Sequence, residues 1–489
     1  MAAFSSTATL PEGAQTLVMK FGGTSVGSAQ ALSQAAQIVA ETRLDWPRLV
    51  VVLSAMSGVT NLLLDGAAQA VNGENAALYQ AESRLRQVHF AAVDELLGEG
   101  SQANDPARSA QVKHEISALI ASFSSLCQAM AVLGEATPRA LDAVAALGER
   151  MSVRILASLL ETRGVAAQMV EATQLIVTDD AFQNAHPDFA LTQKRTRQVI
   201  EPILGRGVVP VVTGFIAATP LGVTTTLGRG GSDYSAAILG AALPAQEVWI
   251  WTDVDGVMSA DPRLVAEAAT IPELSYREIA ELAYFGAKVV HPKTIRPVVE
   301  AGIGLRICNT FNPSHPGTRL AANGRPKTDV AGGSPIKAVT AIGGQRMITV
   351  EGRGMLGVPG VAARTFGAVA STGTSVTLIT QASSEQSICF AVPSEACERV
   401  TAALQAAFAY ELADRDIDRI WATGEVALIT AVGAGMSGTP GVAGQIFSAL
   451  GAQAINILAI AQGSSEAAVS LVVEQADGEG AVRAVHALI

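Results

Sequence analysis

The sequence predicts an α/β protein, a domain built on a mainly parallel sheet, followed by two small α+β modules. Three observations carry that expectation. From Thr16 to about Leu320, short β-rich runs such as RLVVVLSA, GVVPVVTGFIAA and EVWIWTDVDG alternate with alanine-rich helical stretches such as ALDAVAALGERMSVRILASLLETRG, the signature of strand–helix–strand units. Around AANGRPKTDVAGGSP, Ala321 to Pro335, glycine, proline and polar residues accumulate and the periodicity is lost, which marks a boundary. Beyond it the chain repeats itself: the stretch MITVEGRGMLGVPGVAARTFGAVA from Met347 lines up without gaps on LITAVGAGMSGTPGVAGQIFSALG from Leu428. Met355 thus pairs with Met436 and Gln381 with Gln462, each 81 positions apart.

Taken in order, residues 1–16 are expected to be a disordered leader, 17–320 the first domain, 321–340 a linker, and 341–415 and 420–489 the two modules. Each copy reads strand, glycine loop, helix, strand, turn, strand, and then an amphipathic helix, EACERVTAALQAAFAYEL in the first and GEGAVRAVHALI in the second. Duplicated glycine loops facing paired strands point to small-ligand binding, with dimerisation alone as the plainer reading.

A chain of 489 residues exceeds what one core sustains, so several domains are expected. Apolar residues make up 49% and charged residues 16%, with a mean hydropathy of +0.33, yet no uninterrupted apolar run approaches the roughly 18 to 20 residues of a membrane span. The first sixteen residues contain neither lysine nor arginine and so lack a secretory layout. Net charge is −11 and aromatics are 4%, which argues against a nucleic-acid partner, whose phosphates need matching cations. Cys127, Cys308, Cys389 and Cys397 show no CxxC spacing, and the six histidines form no HxxxH pair, so no structural metal is expected. The thiols read as reduced and packed, in keeping with the cytoplasm.

Within the first domain, TLVMKFGGTSVGS places Lys20 after a buried-strand pattern and before Gly22 and Gly23, where a flexible backbone could cradle a phosphate. GRGGSDYSAA passes from a glycine turn into a helix that opens on Ser232 and Asp233; exposed amides there attract anions, and Arg229 adds a planar fork for carboxylate or phosphate. An ordinary capped helix reads the same way. WTDVDG ends a β-run at Gly256, at the carboxyl edge of a parallel sheet, and YFGAKVVHP adds an isolated cation, Lys288.

The ordered set KFGGTSV, SAMSGVTN, GERMS, GFIA, TTLGRGGSDYSA, TDVDGV, DPR, SYREIAELAYFGAKVVHP and a doubled C-terminal module resembles the aspartate kinase family along nearly the whole chain. It is most similar to the kinase half of the fused aspartate kinase and homoserine dehydrogenase proteins. The sequence ends at AVRAVHALI, where the dehydrogenase would begin, so no second activity is expected. The resemblance implies a three-layer sandwich of the amino-acid-kinase type followed by two ACT modules. It implies Lys20 as the catalytic lysine with Asp233 organising the centre, and Ser54, Thr60, Glu149, Phe215, Arg229 and Ser232 as the aspartate pocket. Lys20, Gly22, Gly23, Thr252, Asp253, Arg263 and Lys288 are implied on the nucleotide side, with ATP and Mg2+ as cofactors. Met258 departs from the family, which often has an aromatic residue there.

These residue types suit the chemistry. An aspartate β-carboxylate is ionised at neutral pH and attacks the γ-phosphorus without a general base. The reaction needs positioning and charge neutralisation, which Lys20, the helix start at Ser232 and a magnesium ion supply. Arg229 can fork onto the α-carboxylate while Glu149 pairs with the α-ammonium. A kinase for glutamate, acetylglutamate or carbamate is the nearest rival, and a non-catalytic amino-acid sensor is a rival of another class.

Resemblance to ACT modules also implies an effector bound between the glycine loop Gly354 to Gly360 and the strand Ser375 to Thr380, with Met355, Ser375, Gln381, Gln462 and Ser464 as contacts. In lysine-sensitive members an aspartate on that strand commonly reads the ε-ammonium; here the position is Thr377, and an unpaired ammonium buried there would be penalised. Threonine is therefore the expected effector, with insensitivity to feedback as the alternative. A homodimer or homotetramer through the modules is expected, since each alone leaves sheet edges to cover.

Overall fold

The computed structural model describes residues 15–285, 290, 292–321, 334–382, 386–462 and 467–489. The leader up to residue 14, most of the expected linker, Lys288 and Ser464 lie outside the described residues. The chain divides into two units, the second comprising Met258–Ile271, Arg277–Lys288 and Arg325–Ile489.

The first unit contains β1 (Thr16–Phe21), β2 (Arg48–Leu53), β3 (Ala167–Val170), β4 (Val209–Thr213), β5 (Ile216–Ala218), β6 (Thr224–Thr226), β7 (Glu247–Thr252), β8 (Glu273–Ser275), β9 (Gly304–Asn309) and β10 (Thr318–Ala321). Eight of them form one sheet in the order β3-β4-β2-β1-β7-β9-β10-β8, parallel throughout except between β9 and β10. β5 and β6 pair as a separate antiparallel hairpin.

The central strands are apolar on both sides because helices cover both faces. Leu17, Met19 and Phe21 share a core cluster with Leu32 and Val39 of the helix Ala29–Asp45 and with Ile155 and Leu159 of the helix Leu147–Thr162. Side chains alternate along a strand, so Val18 and Lys20 face the other way, where the helix Gly231–Ala242 packs against β1. This alternation sends the one cation of β1 toward that helix.

The helix Pro106–Leu133 departs from the sequence expectation, being the one helix among the described residues long and apolar enough, on average, to cross a membrane. Counting uninterrupted apolar runs misses it because serines and glutamine break the run. It packs against the helices Val59–Val71 and Asn75–Leu97, burying Val112, Ile116, Ile120, Phe123, Cys127 and Met130 at helical spacing. A single buried stripe of this kind is that of an amphipathic core helix.

The second unit adds β11 (Ala338–Glu351), β12 (Leu378–Gln381), β13 (Ser387–Pro393), β14 (Arg419–Val432), β15 (Ala459–Ala461) and β16 (Ala468–Glu474), in one antiparallel sheet ordered β12-β13-β11-β14-β16-β15. The order strand, helix, strand, strand, helix recurs in each repeat as the sequence suggests.

The modules expected at 341–415 and 420–489 follow sequence order, whereas the packing does not. Ile336 just before β11 and Val339 at its start bury with Ile429, Val469 and Val482 of the second repeat, while Ile417 just before β14 and Ile420 and Ala422 at its start pack with Ile348, Phe390 and Val400 of the first. Each long strand thus serves one module with its beginning and the other with its end. The two strands, 14 residues each, pair with each other at the centre of the sheet. The expected linker also gives up Ala321 to β10 and 338–340 to β11, and β1 begins at Thr16.

Candidate active site

Lys20 is 8% exposed and its Nζ lies 2.5 Å from Asp233 Oδ1. Two glycine turns converge on this pair. After β1 the Gly22 N–H donates to the Trp251 carbonyl at 3.1 Å, and a Cβ on Gly22 would come within 3.3 Å of Lys20 Nζ. A side chain there would crowd the ammonium, which would have to give by a few tenths of an ångström. The second turn holds Gly228 and Gly230 at φ +75° and +72° and opens the helix Gly231–Ala242, with Asp233 in its first turn, where a carboxylate complements the helix dipole.

Ser232 and Phe215 meet at the same helix start. A Cβ on Gly231 would lie 2.7 Å from the Phe215 ring, and one on Gly214 would lie 2.8 Å from Ser232 Oγ. Phe215 adopts φ +66°, a conformation costing a bulky residue about 1 kcal/mol or more, and its N–H donates to Ser235 Oγ at 3.0 Å. Arg229 is exposed, and its guanidinium has no hydrogen-bond or ion-pair partner among the described residues.

Glu149 sits in the first turn of the helix Leu147–Thr162, 3% exposed. Its Oε1 accepts from the Ala55 N–H at 3.1 Å, and its Oε2 has no partner among the described residues. Burial pushes its carboxyl up to about 8, against the pull of that backbone donor. Ser54 and Thr60 flank the same loop, both partly exposed; the Ser54 carbonyl accepts from Ser152 Oγ at 2.8 Å, and Thr60 begins the helix Val59–Val71 after Gly58 at φ +78°.

At the end of β7, Thr252 Oγ1 donates to Asp253 Oδ1 at 3.1 Å, and the Thr252 carbonyl accepts the Thr310 N–H at 2.9 Å. Arg263 belongs to the second unit, exposed and forked onto Asp261 at 2.6 Å. Lys288 lies outside the described residues.

Two groups escaped the sequence reading. Thr310 Oγ1 donates to Ser25 Oγ at 2.7 Å, which donates to the Trp251 carbonyl at 3.2 Å, tying the first glycine turn to β7. Asp255 accepts from Asn309 and Asn312 at 2.9 and 3.0 Å. Ser25 and Asp255 lie in the motifs TLVMKFGGTSVGS and WTDVDG without a role read for them, and their partners Thr310, Asn309 and Asn312 lie in the uncharged stretch CNTFNP from Cys308.

Among the described residues no three His, Cys, Asp or Glu side chains group to hold a metal, and Asp233 is engaged by Lys20. That donor set does not fit a resident protein-held ion.

The amino acid kinase family model matches residues 15–309. The chain belongs to that family. An ACT domain model matches 348–408 and 429–488 of this amino acid kinase. The chain is 38% identical to the bifunctional aspartokinase/homoserine dehydrogenase 2 of Arabidopsis thaliana, across 98% of this chain and 51% of that protein. It spans about half the length of such bifunctional relatives. It is 32% identical to aspartokinase 1 of the same plant, across 96% of this chain and 79% of that one. Among solved structures it resembles E. coli aspartokinase III in complex with aspartate and ADP, with a TM-score of 0.77 and 30% identity over 97% of this chain and all of that one.

The effector residues are placed unevenly. Gln381 and Gln462 line one cleft of about 750 Å³ in the second unit, with Thr377, Tyr284, Ile460 and Ser470. Ser375 is exposed on the approach to β12. Met355 was expected to contact the effector but is 4% exposed and packs in the first repeat's core with Ile348 and Phe390, because the turn Arg353–Met355 folds it inward. Ser464 lies outside the described residues.

Proposed function

We propose that this amino acid kinase transfers the γ-phosphoryl group of ATP to the β-carboxylate of L-aspartate, giving 4-phospho-L-aspartate. The observation that carries the reading is the Lys20–Asp233 pair, held at 2.5 Å where two glycine turns converge. An ammonium fixed by a carboxylate needs no reorganisation as charge develops on a transferring phosphoryl group. The E. coli relative with aspartate and ADP supports the same substrates.

The attacking carboxylate is already ionised, so no side chain has to act as base. Arg229, exposed and without a partner among the described residues, offers two parallel donors to the α-carboxylate. Glu149 offers its unpartnered Oε2 to the α-ammonium, and bringing that cation close favours the carboxylate over the neutral acid. Aspartate binding therefore expels a proton from Glu149 at pH values below about 8. Magnesium would enter with the nucleotide phosphates, the usual way this ion is carried. The four cysteines are unpaired, which suits the reducing cytoplasm.

Trapping the acyl phosphate as a hydroxamate, with aspartate, glutamate and acetylglutamate compared, tests the assignment. Aspartate is expected to react best, and acetylglutamate, whose amine is blocked, to react least. Preferential reaction of acetylglutamate would remove Glu149 from its role and the assignment with it.

For regulation we hold threonine as the effector, with Gln381 and Gln462 as its amide partners. A crystal structure of E. coli aspartokinase III contains lysine, but the position expected to read an ε-ammonium is here Thr377, whose hydroxyl donates to Gln345 Oε1 or to the Ala391 carbonyl at 3.1 Å. Assembly into a homodimer or homotetramer through the ACT modules completes the proposal; sedimentation showing an active monomer at micromolar concentration would count against it.

A further inference from the structure

We propose that Asp142 is a positioning residue that fixes the turn carrying Arg229 relative to Glu149, and so sets the geometry of the acid-substrate pocket. The inference rests on the aspartate reading of that pocket. Asp142 lies in the helix Pro138–Ala145, which runs through Ala146 directly into the helix that begins at Leu147 and carries Glu149. Its side chain is 1% exposed and accepts from two separate segments. The Gln183 N–H reaches Oδ1 at 3.2 Å and Oδ2 at 3.0 Å. On the other side the Thr226 N–H donates to Oδ2 at 2.9 Å and Thr226 Oγ1 donates to Oδ1 at 2.8 Å.

Both segments lead to the Arg229 turn. Thr226 ends β6 three residues before Arg229, and its carbonyl accepts the Ala185 N–H at 3.0 Å. Gly228 is pressed so closely on the other segment that a Cβ would lie 2.9 Å from Asn184 Oδ1 and 3.0 Å from the Gln183 carbonyl. Gln183 itself is held at φ +69°, a conformation that persists only where its surroundings over-determine it. The carboxylate thus clamps loop and strand together and joins both to the helix pair bearing Glu149. All its partners are donors, which an ionised carboxylate satisfies and an amide or protonated acid cannot; burial raises its pKa above the ordinary carboxylate value, and these donors hold back part of that rise.

Asp142→Asn tests the proposal, because it keeps the shape and turns one acceptor into a donor facing an N–H. The expected result is an aspartate KM raised about tenfold, with kcat and the ATP KM changed less than about threefold, since displacement of a positioned group acts mainly on what that group binds. Amide hydrogen exchange of residues 226–231 in the ligand-free protein should accelerate at the same time. Unchanged exchange there overturns the proposal whatever acid is the substrate, and so does a parallel loss in kcat and both KM values, which marks general loosening. If Asp142→Asn does not fold, Thr226→Val decides, as it removes only the hydroxyl bond and should raise the aspartate KM about threefold with the same split. Failure of the aspartate reading would instead appear in the wild type, as no hydroxamate from aspartate; KM is then measured for the acid that reacts.

Discussion

Glycine turns recur in both units, but what stands behind them differs. In the first unit two of the turns are backed by charge, with Lys20 behind Gly22 and Asp233 after Gly230, and Asp142 holds Thr226 and Gln183, the segments that meet at Gly228. In the repeats the turns are backed by main chain. A Cβ on Gly352 or Gly354 would strike the backbone of Asp416, and one on Gly433 would strike the carbonyl of Pro335. Asp416 and Pro335 are themselves 81 positions apart, so the duplication keeps these glycines for the same chain crossing. Glycine beside Lys20 and Asp233 makes room around charged groups, whereas much of the glycine in the repeats makes room for the fold. Loops read from sequence as ligand cradles are in part packing devices.

Removing a charge behind a glycine turn should break the first unit most. Lys20→Ala is expected to lower kcat about 100-fold or more, the usual cost of losing a preorganised donor to developing charge. Aspartate affinity, measured by calorimetry, should stay nearly intact. Retention of a tenth of the activity, well above what such a loss normally leaves, would mean that the Lys20–Asp233 pair is structural.

Arg229→Lys comes next. Charge is kept but the fork is lost, and an aspartate KM rise of about tenfold is expected, of the size a charge-assisted hydrogen bond is worth. An unchanged KM would take Arg229 out of the pocket.

Glu149 carries a pH signature. Its folded-state pKa, about 8, lies above the ordinary 4.5, so the folded protein holds a proton there that the unfolded chain releases. Its contribution to stability is therefore fully present below about pH 4.5 and is lost as pH rises through about 8. Aspartate binding runs the other way, since the ammonium needs the carboxylate, and KM should fall as pH rises to about 8 and level off above it. Glu149→Gln should flatten both profiles, raising the ligand-free melting temperature at pH 8 while weakening aspartate. A variant that weakened aspartate but left the melting profile unchanged would contradict the burial argument.

How far the sequence reached follows from the same contrast. Lys20 was legible because a lone cation after an apolar strand stands out, and Asp233 because an acid opening a helix after glycines does. Their pairing was not, since it depends on the alternation of β1 and on a helix more than two hundred positions away. Asp142 sits on an ordinary helical pattern and became visible only through the backbone donors of Gln183 and Thr226. The interleaving of the modules was hidden for a different reason: an offset of 81 residues is the same whether two copies fold one after the other or exchange strands.

Within the second unit the repeats differ at one equivalent position. The Ala434 N–H of the second loop donates to Glu278 Oε1 at 2.7 Å, and Glu278, fully buried, also pairs with Lys337 at 3.1 Å. The first loop's Arg353 N–H instead meets the exposed carboxylate of Asp418 at 3.2 Å. Glu278→Gln should therefore lower stability by about 1–2 kcal/mol, discounted because Lys337 is partly exposed, and Asp418→Asn should leave the melting temperature unchanged. Equal effects would erase the distinction between the loops.

The smallest effect concerns the effector, and it bears most directly on the comparison. If the repeats' glycines serve the fold, recognition must fall to side chains elsewhere, and the cleft lined by Gln381, Gln462 and Ser470 is where amide and hydroxyl groups from both repeats gather. A threonine side chain has a hydroxyl for such groups and no charge to strand; lysine would bring an ammonium to a rim of Thr377, Ile379 and Ile460, where its burial without a partner is penalised. Gln462→Ala should shift half-inhibition by threonine several-fold, as loss of one neutral hydrogen bond does, and leave the uninhibited rate unchanged because the residue is remote in sequence and unit from Lys20. Titration of the purified enzyme with each amino acid decides the point. Strong inhibition by lysine with none by threonine would return recognition to the glycine loop Gly354 to Gly360, and with it the view that the two sets of glycine turns do the same work.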